Sequence, residues 1–199
     1  GIYSVLLAEA AGADGHVWCF EPTPEVALLL RENVNRNRLG NVTVVEQAVT
    51  DSEGIVDLHV FGNGGDVYNS LGASHRPVEQ LHAVRTLQVA ATTLDAFADR
   101  ESISSIEVLK VDVEGAEERV LKGGRRLLER SRNAVILVEL NESSASQCGC
   151  SMDGILRFMR TLSFMPLGVG TDGLLETWKH SECTTAYVLF LRPTDMNPP

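Results

Sequence analysis

The chain has 199 residues, 44% of them hydrophobic and 22% charged. That is long for one domain, short for two and ordinary for a globular protein, which excludes wholesale disorder, a collagen-like fibre and a disulfide mini-scaffold. Its 27 acidic residues outnumber 17 basic ones for a net charge of −10, a poor starting point for nucleic acid, because phosphate contact needs clustered Lys and Arg.

No apolar run approaches the ~18–20 residues needed to cross a bilayer, so no membrane span is expected. No signal peptide is visible, although the chain opens at Gly1 without a Met. Of Cys19, Cys148, Cys150 and Cys183, only the C-G-C pair is close. That spacing is not the C-x2-4-C of structural zinc sites, so the expectation is reduced thiols in a cytoplasmic protein.

In chain order, residues 2–11 read as a helix closed by Gly12. His16–Phe20 is a short strand ending at Glu21-Pro22. Pro24 opens a helix to about Asn37, with Val26, Leu29, Leu30 and Val34 at helical spacing. Asn41–Val49 is β-branched and reads as one strand, Asp51–Gly54 as a turn, and Gly54–Phe61 as an alternating strand. Residues 62–83, with Gly62, Asn63, Gly64 and Gly65, read as an irregular and functional loop. Then come a strand over 86–91, a helix over 93–98 and a buried strand over 106–111. A helix from Gly115 to Arg130 follows, breaking near the glycine pair. Asn133–Leu140 is nearly all apolar, as in a strand with helices over both faces. Residues 152–162 form a helix. Phe164–Val169 and Thr185–Leu191 are the last strands, joined by a hairpin-like loop over 170–182. No repeat or linker interrupts the pattern, so residues 1–192 form one domain and 193–199 a frayed tail. Strands alternating with helices predict an α/β, Rossmann-like sheet that binds ligands beyond the carboxyl ends of its strands.

Three positions beyond strands stand out: Glu21, then Asp112 with Glu114, then Glu139 with Asn141. A carboxylate after the second strand of such a fold accepts hydrogen bonds from ribose hydroxyls. The segment Lys110-Val111-Asp112-Val113-Glu114-Gly115-Ala116-Glu117 is sharper. Alternation places Lys110, Asp112 and Glu114 on one side. Gly115 permits a tight exit, and Glu117 falls in the next helix's first turn, where its charge suits the dipole. Carboxylates so crowded repel one another, so a cationic ligand, a metal or a proton to be removed is expected there. Against this stands the plainer reading that Glu114 and Glu117 cap the helix and Lys110 neutralises Asp112. A metal on Asp112 and Glu114 lacks an identifiable third ligand, so none is assigned.

K-V-D-V-E-G-A-E, with F-E-P upstream and T-T-L-D-A-F just before it, resembles the FkbM-type S-adenosylmethionine-dependent methyltransferases. Gly1-Ile2-Tyr3-Ser4 resembles the tail of that family's first motif, D-x-G-A-N-x-G-x-Y-S. Asn33 and Asn37, Glu46-Gln47-Ala48-Val49 with Gly54, and Asn69-Ser70-Leu71 fit its order. The resemblance implies a seven-stranded sheet with helices on both faces and the last strand antiparallel, its first strand truncated at Gly1. It implies S-adenosylmethionine as donor and a hydroxyl on a small molecule or glycan as acceptor. By resemblance, Glu21 and Pro22 sit at the ribose, Gln47 and Ala48 border the adenine, and Gly1, Tyr3 and Ser4 belong to the turn around the donor's carboxylate. Asp112 faces the donor's amino-acid end or methyl group. Asn141 stands where relatives often carry His.

Asp112, then Glu114, then Glu139 are the candidate bases, provided burial or neighbouring charge raises a carboxylate's pKa. His75, His82 and Trp178 are candidates to touch the acceptor; His16 and His59 read as surface residues. A nicotinamide-dinucleotide oxidoreductase would also use Glu21, but no G-x-G-x-x-G precedes a helix. A non-catalytic binding relative is the other alternative.

Overall fold

The computed structural model describes residues 1–62, 68–72, 75–76, 81–170, 174–178 and 185–193. His180, Cys183, the glycines at 64 and 65, and most of the expected tail lie outside them, as does the side chain of His75. In chain order the elements are α1 (Ile2–Ala11), β1 (Val17–Phe20), α2 (Pro24–Arg36), β2 (Val42–Val45), β3 (Ala48–Val49), β4 (Gly54–Val60), β5 (His75–Arg76), β6 (Leu81–His82), β7 (Arg85–Thr92) and α3 (Leu94–Arg100). There follow β8 (Val108–Val111), α4 (Glu117–Gly123), α5 (Arg125–Arg130), β9 (Val135–Asn141), α6 (Glu142–Gln147), α7 (Met152–Thr161), β10 (Met165–Val169), β11 (Leu175–Thr177) and β12 (Thr185–Leu191). Among the described residues no helix is long and apolar enough to cross a membrane.

Among the described residues the strands do not join into a single seven-stranded sheet. The largest sheet has five strands in the order β11-β10-β12-β9-β8, beside a parallel pair β1-β2, a three-stranded β3-β7-β4 and the short β5-β6 pair. One continuous sheet requires a strand bonded to both β1 and β8. Among the described residues β1 pairs with β2 alone and β8 with β9 alone. The expected antiparallel last strand is present: β12 lies between β9 and β10 and runs antiparallel to both. The single strand expected over 41–49 is two. Its halves join different sheets, β2 against β1 and β3 against β7, with the exposed Glu46 between them paired to Arg31.

The main core covers one face of the five-stranded sheet. Val111, Ile136, Val138, Leu140, Val188 and Phe190 are all but fully buried and pack with α4, α5 and α7. In α7, Met152, Ile155, Leu156 and Met159 recur at helical spacing and are buried, so one apolar stripe seals the sheet. The other face is different. Val135, Leu137, Glu139 and Asn141 of β9 alternate with the buried set and are only half-buried. The near-continuous apolar run therefore does not signal equal cover on both sides. The more open face carries the polar groups described below. A smaller core of Ala48, Leu58, Val60, Val89 and Ala91 belongs to the three-stranded sheet.

Glycines and one arginine fix the junctions. The expected long helix after Gly115 is broken at Gly124 into α4 and α5. The Arg192 guanidinium donates to the carbonyls of Leu128, Ser131, Arg132 and Leu162 and lies over the Phe164 ring, tying β12 to the ends of α5 and α7. Gly115 has φ of +113°, and a Cβ there would lie 2.2 Å from Ser144 O in α6. Both the conformation and the close approach demand glycine. Gly115→Val is expected to lower stability by about 2–4 kcal/mol, measured by urea unfolding; an unchanged midpoint would remove the constraint.

Candidate active site

The site lies at the carboxyl ends of parallel strands. β1 ends at Phe20, β2 at Val45, β8 at Val111 and β9 at Asn141. Each exit places a polar side chain. Two corners result, one at β1 and β2 and one at β8 and β9.

At the first corner, Glu21 N–H donates to Val45 O, which carries the β1–β2 pairing up to the strand exits. Thr23 N–H donates to Glu21 Oε1 at 2.8 Å, which aims the carboxylate. Pro22 is half-buried beside it. Ala48 is 4% exposed and packs in the smaller core, so a ligand would meet its backbone rather than its methyl group.

At the second corner, Asp112, Glu114 and Glu139 each bring a carboxylate oxygen within 4.8 Å of the others. Lys110, with its side chain 13% exposed, pairs with Asp112. Its ammonium lies 4.3 Å from the centre of the Tyr3 ring and 5.6 Å from that of Tyr187, a cation held by two aromatic faces. Tyr187 stands opposite Glu139 in the β9–β12 ladder and donates its hydroxyl to Asp112 Oδ2 at 3.4 Å. Tyr187 is pushed up to about 12 by burial and by the negative charges of Asp112 and Glu139, so it stays a protonated donor at neutral pH.

Glu139 is raised from 4.5 to about 7, first by burial, then by the charge of Asp112 and the hydrogen bond with it, then by Glu114 and Glu117. A carboxyl group poised near neutrality can both accept and return a proton. Glu139, placed third by the sequence reading, therefore has the strongest physical case as base. Asp112 has Lys110 as its cationic partner. Glu139 also supplies the third carboxylate that a metal lacked in the sequence reading. The Lys110 ammonium sits on Asp112, one of the three.

A hydrogen-bonded stitch joins the two corners. Asn69 accepts from Phe61 N–H and donates to Thr23 Oγ1. Next to it, Ser70 Oγ donates to Glu114 O at 2.8 Å and accepts from Gly72 N–H. The Cys148 sulfur packs 3.8 Å from both Ser70 Oγ and Glu114 O, and burial pushes this thiol up. Asn69 and Ser70 were noticed in the sequence, but no spacing signal gives their partners 46 and 44 residues away.

The remaining candidates separate. Gly1 caps α1 against Leu30 of α2, and the Ser4 hydroxyl bonds the Cys19 thiol on β1. Asn141 accepts Ser144 N–H and so caps α6, which gives its side chain a structural job. His16 bonds Thr43 and stacks near Trp18, and His59 bonds Thr86. His82 is exposed. Trp178 lines a cavity of about 390 Å³ with Asp153, Leu156, Arg157, Arg160 and Pro166, and none of the candidate catalytic carboxylates lines it.

Because Glu139 is raised in the folded state, the folded chain holds its proton longer than the unfolded chain. Its contribution to stability is full below pH 4.5 and is lost as pH rises through about 7. Glu139→Gln should therefore gain stability relative to wild type between pH 4 and pH 8, by about 1 kcal/mol after solvent screening at this half-buried site. Urea unfolding at the two pH values checks it; a pH-independent difference would contradict the raised value.

Comparison with known proteins bears on what this arrangement serves. The 2-O-methyltransferase NoeI of Sinorhizobium fredii is 27% identical over 174 residues, covering 82% of this chain and 70% of that protein. A solved methyltransferase FkbM from Methylobacillus flagellatus aligns over 94% of this chain with 17% identity and a TM-score of 0.49, and the present chain spans 40% of its length. A solved precorrin-6y C5,15-methyltransferase from Geobacter metallireducens aligns over 94% of this chain and 73% of its own, with 12% identity and a TM-score of 0.44. The methyltransferase FkbM domain matches residues 2–165, a span that holds both strand-end corners and the stitch between them, and the chain accordingly belongs to the FkbM methyltransferase family.

Proposed function

We propose that the chain is the catalytic domain of an S-adenosylmethionine-dependent O-methyltransferase acting on a hydroxyl of a small molecule or glycan. The observation that carries this is Glu139, a carboxyl group raised to about 7 beside two further carboxylates at the end of the parallel β8–β9 pair. Family membership and the name of the relative NoeI, a 2-O-methyltransferase, support the same reading.

The residues present fit the donor. Glu21, aimed by Thr23 N–H, offers a carboxylate for ribose hydroxyls; Pro22 follows it, and Gln47 and the Ala48 backbone beyond β2 serve the base. Asp112 and Glu114 give a negative environment for the donor's ammonium and sulfonium. Of the α1 residues, Tyr3 reaches this corner through Lys110, and Gly1 and Ser4 are assigned to the donor's carboxylate by family resemblance alone. The donor, when bound, supplies a methyl group already activated by the sulfonium. The protein's work is then orientation and proton removal. A carboxylate oxygen of Glu139 takes the proton of the acceptor hydroxyl. Asp112, held by Lys110 and Tyr187, and Glu114 keep the proton affinity of Glu139 high enough for that role. A cytoplasmic location, expected from the thiols, belongs to the same proposal.

Calorimetry with S-adenosylhomocysteine, and NAD as control, tests the donor on this chain and on a form carrying the first-motif residues expected before Gly1. Binding of the first ligand alone is expected. Glu21→Ala should weaken it by about 10–100-fold through loss of charge-assisted hydrogen bonds. NAD binding, or no binding of either ligand by a folded extended form, would overturn the reading. Methyl transfer to sugar hydroxyls should fall by about 10²–10⁴-fold in Glu139→Gln with donor affinity retained; full turnover would remove Glu139 as base.

A further inference from the structure

Glu117 is 2% exposed, the one carboxylate in the buried class among the described residues. The proton transfer assigned above does not use it. A buried carboxylate is costly unless it is hydrogen-bonded, and here its partners are specific. Oε1 of Glu117 accepts Val113 N–H at 3.1 Å and Gly115 N–H at 3.0 Å. The two amides flank Glu114, whose φ of +58° is left-handed, and Gly115 follows at +113°. Two successive residues in that region reverse the chain sharply as it leaves β8. Without a tie, little in the local sequence favours that reversal, since Glu is not a residue that adopts the left-handed region readily.

The turn is thus clamped from two sides. Glu117 holds the amides on its buried side, and Ser70 Oγ holds the Glu114 carbonyl. The groups facing Glu139 are Asp112 and Glu114 from the β8 exit, Glu117 from α4 and Tyr187 from β12, with Lys110 and Tyr3 of α1 reaching it through Asp112. Burial raises Glu117 itself, opposed by the N–H groups of Gly115, Glu117 and Val113.

We propose that Glu117 is a positioning residue: by gathering the Val113 and Gly115 N–H groups on one buried oxygen, it fixes the turn that keeps Asp112 and Glu114 beside Glu139. The proposal rests on the reading of Glu139 as the base, and its test has readouts independent of activity. The Glu139 carboxyl titration and the exchange rates of the Val113 and Gly115 amides are followed by NMR in wild type and in Glu117→Ala, Glu117→Asp and Glu117→Gln. In Glu117→Ala both amides should exchange at least about tenfold faster. The Glu139 midpoint should fall by about one pH unit or more, and further than in Glu117→Gln, which removes the same Glu117 charge but keeps the turn. Turnover should fall by about 10–100-fold with little change in acceptor KM. Glu117→Gln keeps an acceptor oxygen and should restore amide protection and most of the turnover. If Glu117→Ala does not fold, Glu117→Asp, one methylene too short to hold both amides, is read by the same measurements. An unmoved Glu139 midpoint with protected amides in the Ala or Asp variant would overturn the proposal. Absence of methyl transfer by the wild-type enzyme would overturn the functional reading instead, while the NMR readouts still decide the role of Glu117.

Discussion

Repulsion among carboxylates is the condition that the rest of this structure answers. Asp112, Glu114 and Glu139 meet within 4.8 Å at the ends of β8 and β9. Left alone, such a cluster would push the strand exits apart. Lys110 neutralises one member from a slot between two tyrosine rings. Glu139 answers by holding a proton to near neutrality. The backbone answers with the left-handed turn at Glu114 and Gly115, tied down by Glu117 and Ser70. Each of these devices would be a defect elsewhere. Together they trade local strain and burial cost for a group whose proton affinity matches its task.

Much of this could be read from the sequence, because local chemistry dictates it. The alternation of strands and helices, Pro24 opening α2, and the apolar stripe of α7 follow from periodicity and capping alone. The D-V-E-G-A-E segment drew attention to the β8–α4 junction because crowded carboxylates after a strand need an explanation, and Asp112 and Glu114 meet Glu139 there. What stayed hidden depends on pairing between distant segments. Tyr187 looked like any strand tyrosine until the β9–β12 register set it opposite Glu139. Residues 41–49 looked like one strand because β-branched residues suit either sheet, and only the partners β1 and β7 divide them. Glu117 read as a dipole-favoured helix start, whereas its carboxylate reaches back to amides outside the helix. α6 was missed because Glu-Ser-Ser-Ala-Ser-Gln has no apolar stripe; Asn141 and its contact with Gly115 give it its place.

The Asn69–Ser70 stitch links what would otherwise be separate units. The β1–β2 pair and the five-stranded sheet share no backbone ladder among the described residues. Ring contacts of Trp18 and Phe20 with Phe97 set β1 against α3, but apolar contact is non-directional and tolerates sliding. Hydrogen bonds from Asn69 to Thr23 and from Ser70 to Glu114 are directional. They set the spacing between the Glu21 corner and the carboxylate corner, which is the spacing a ligand spanning both would feel.

The position of β12 has a consequence for how the molecule is made. β12 is later in the chain than β10, yet it is inserted between β9 and β10. Until it emerges, the β8–β9 pair and the β10–β11 hairpin have no ladder in common, and β10 presents an open edge. Threading a late strand between two earlier ones is a slow, non-local step, since loop closure must precede any gain from pairing. The same strand delivers Tyr187 to Asp112 and Arg192 to the carbonyls behind α5 and α7. Assembly of the carboxylate corner and closure of the sheet are therefore one event. A nascent chain that stalls before β12 holds crowded acidic groups without the Tyr187 hydroxyl and leaves the β10 edge uncovered.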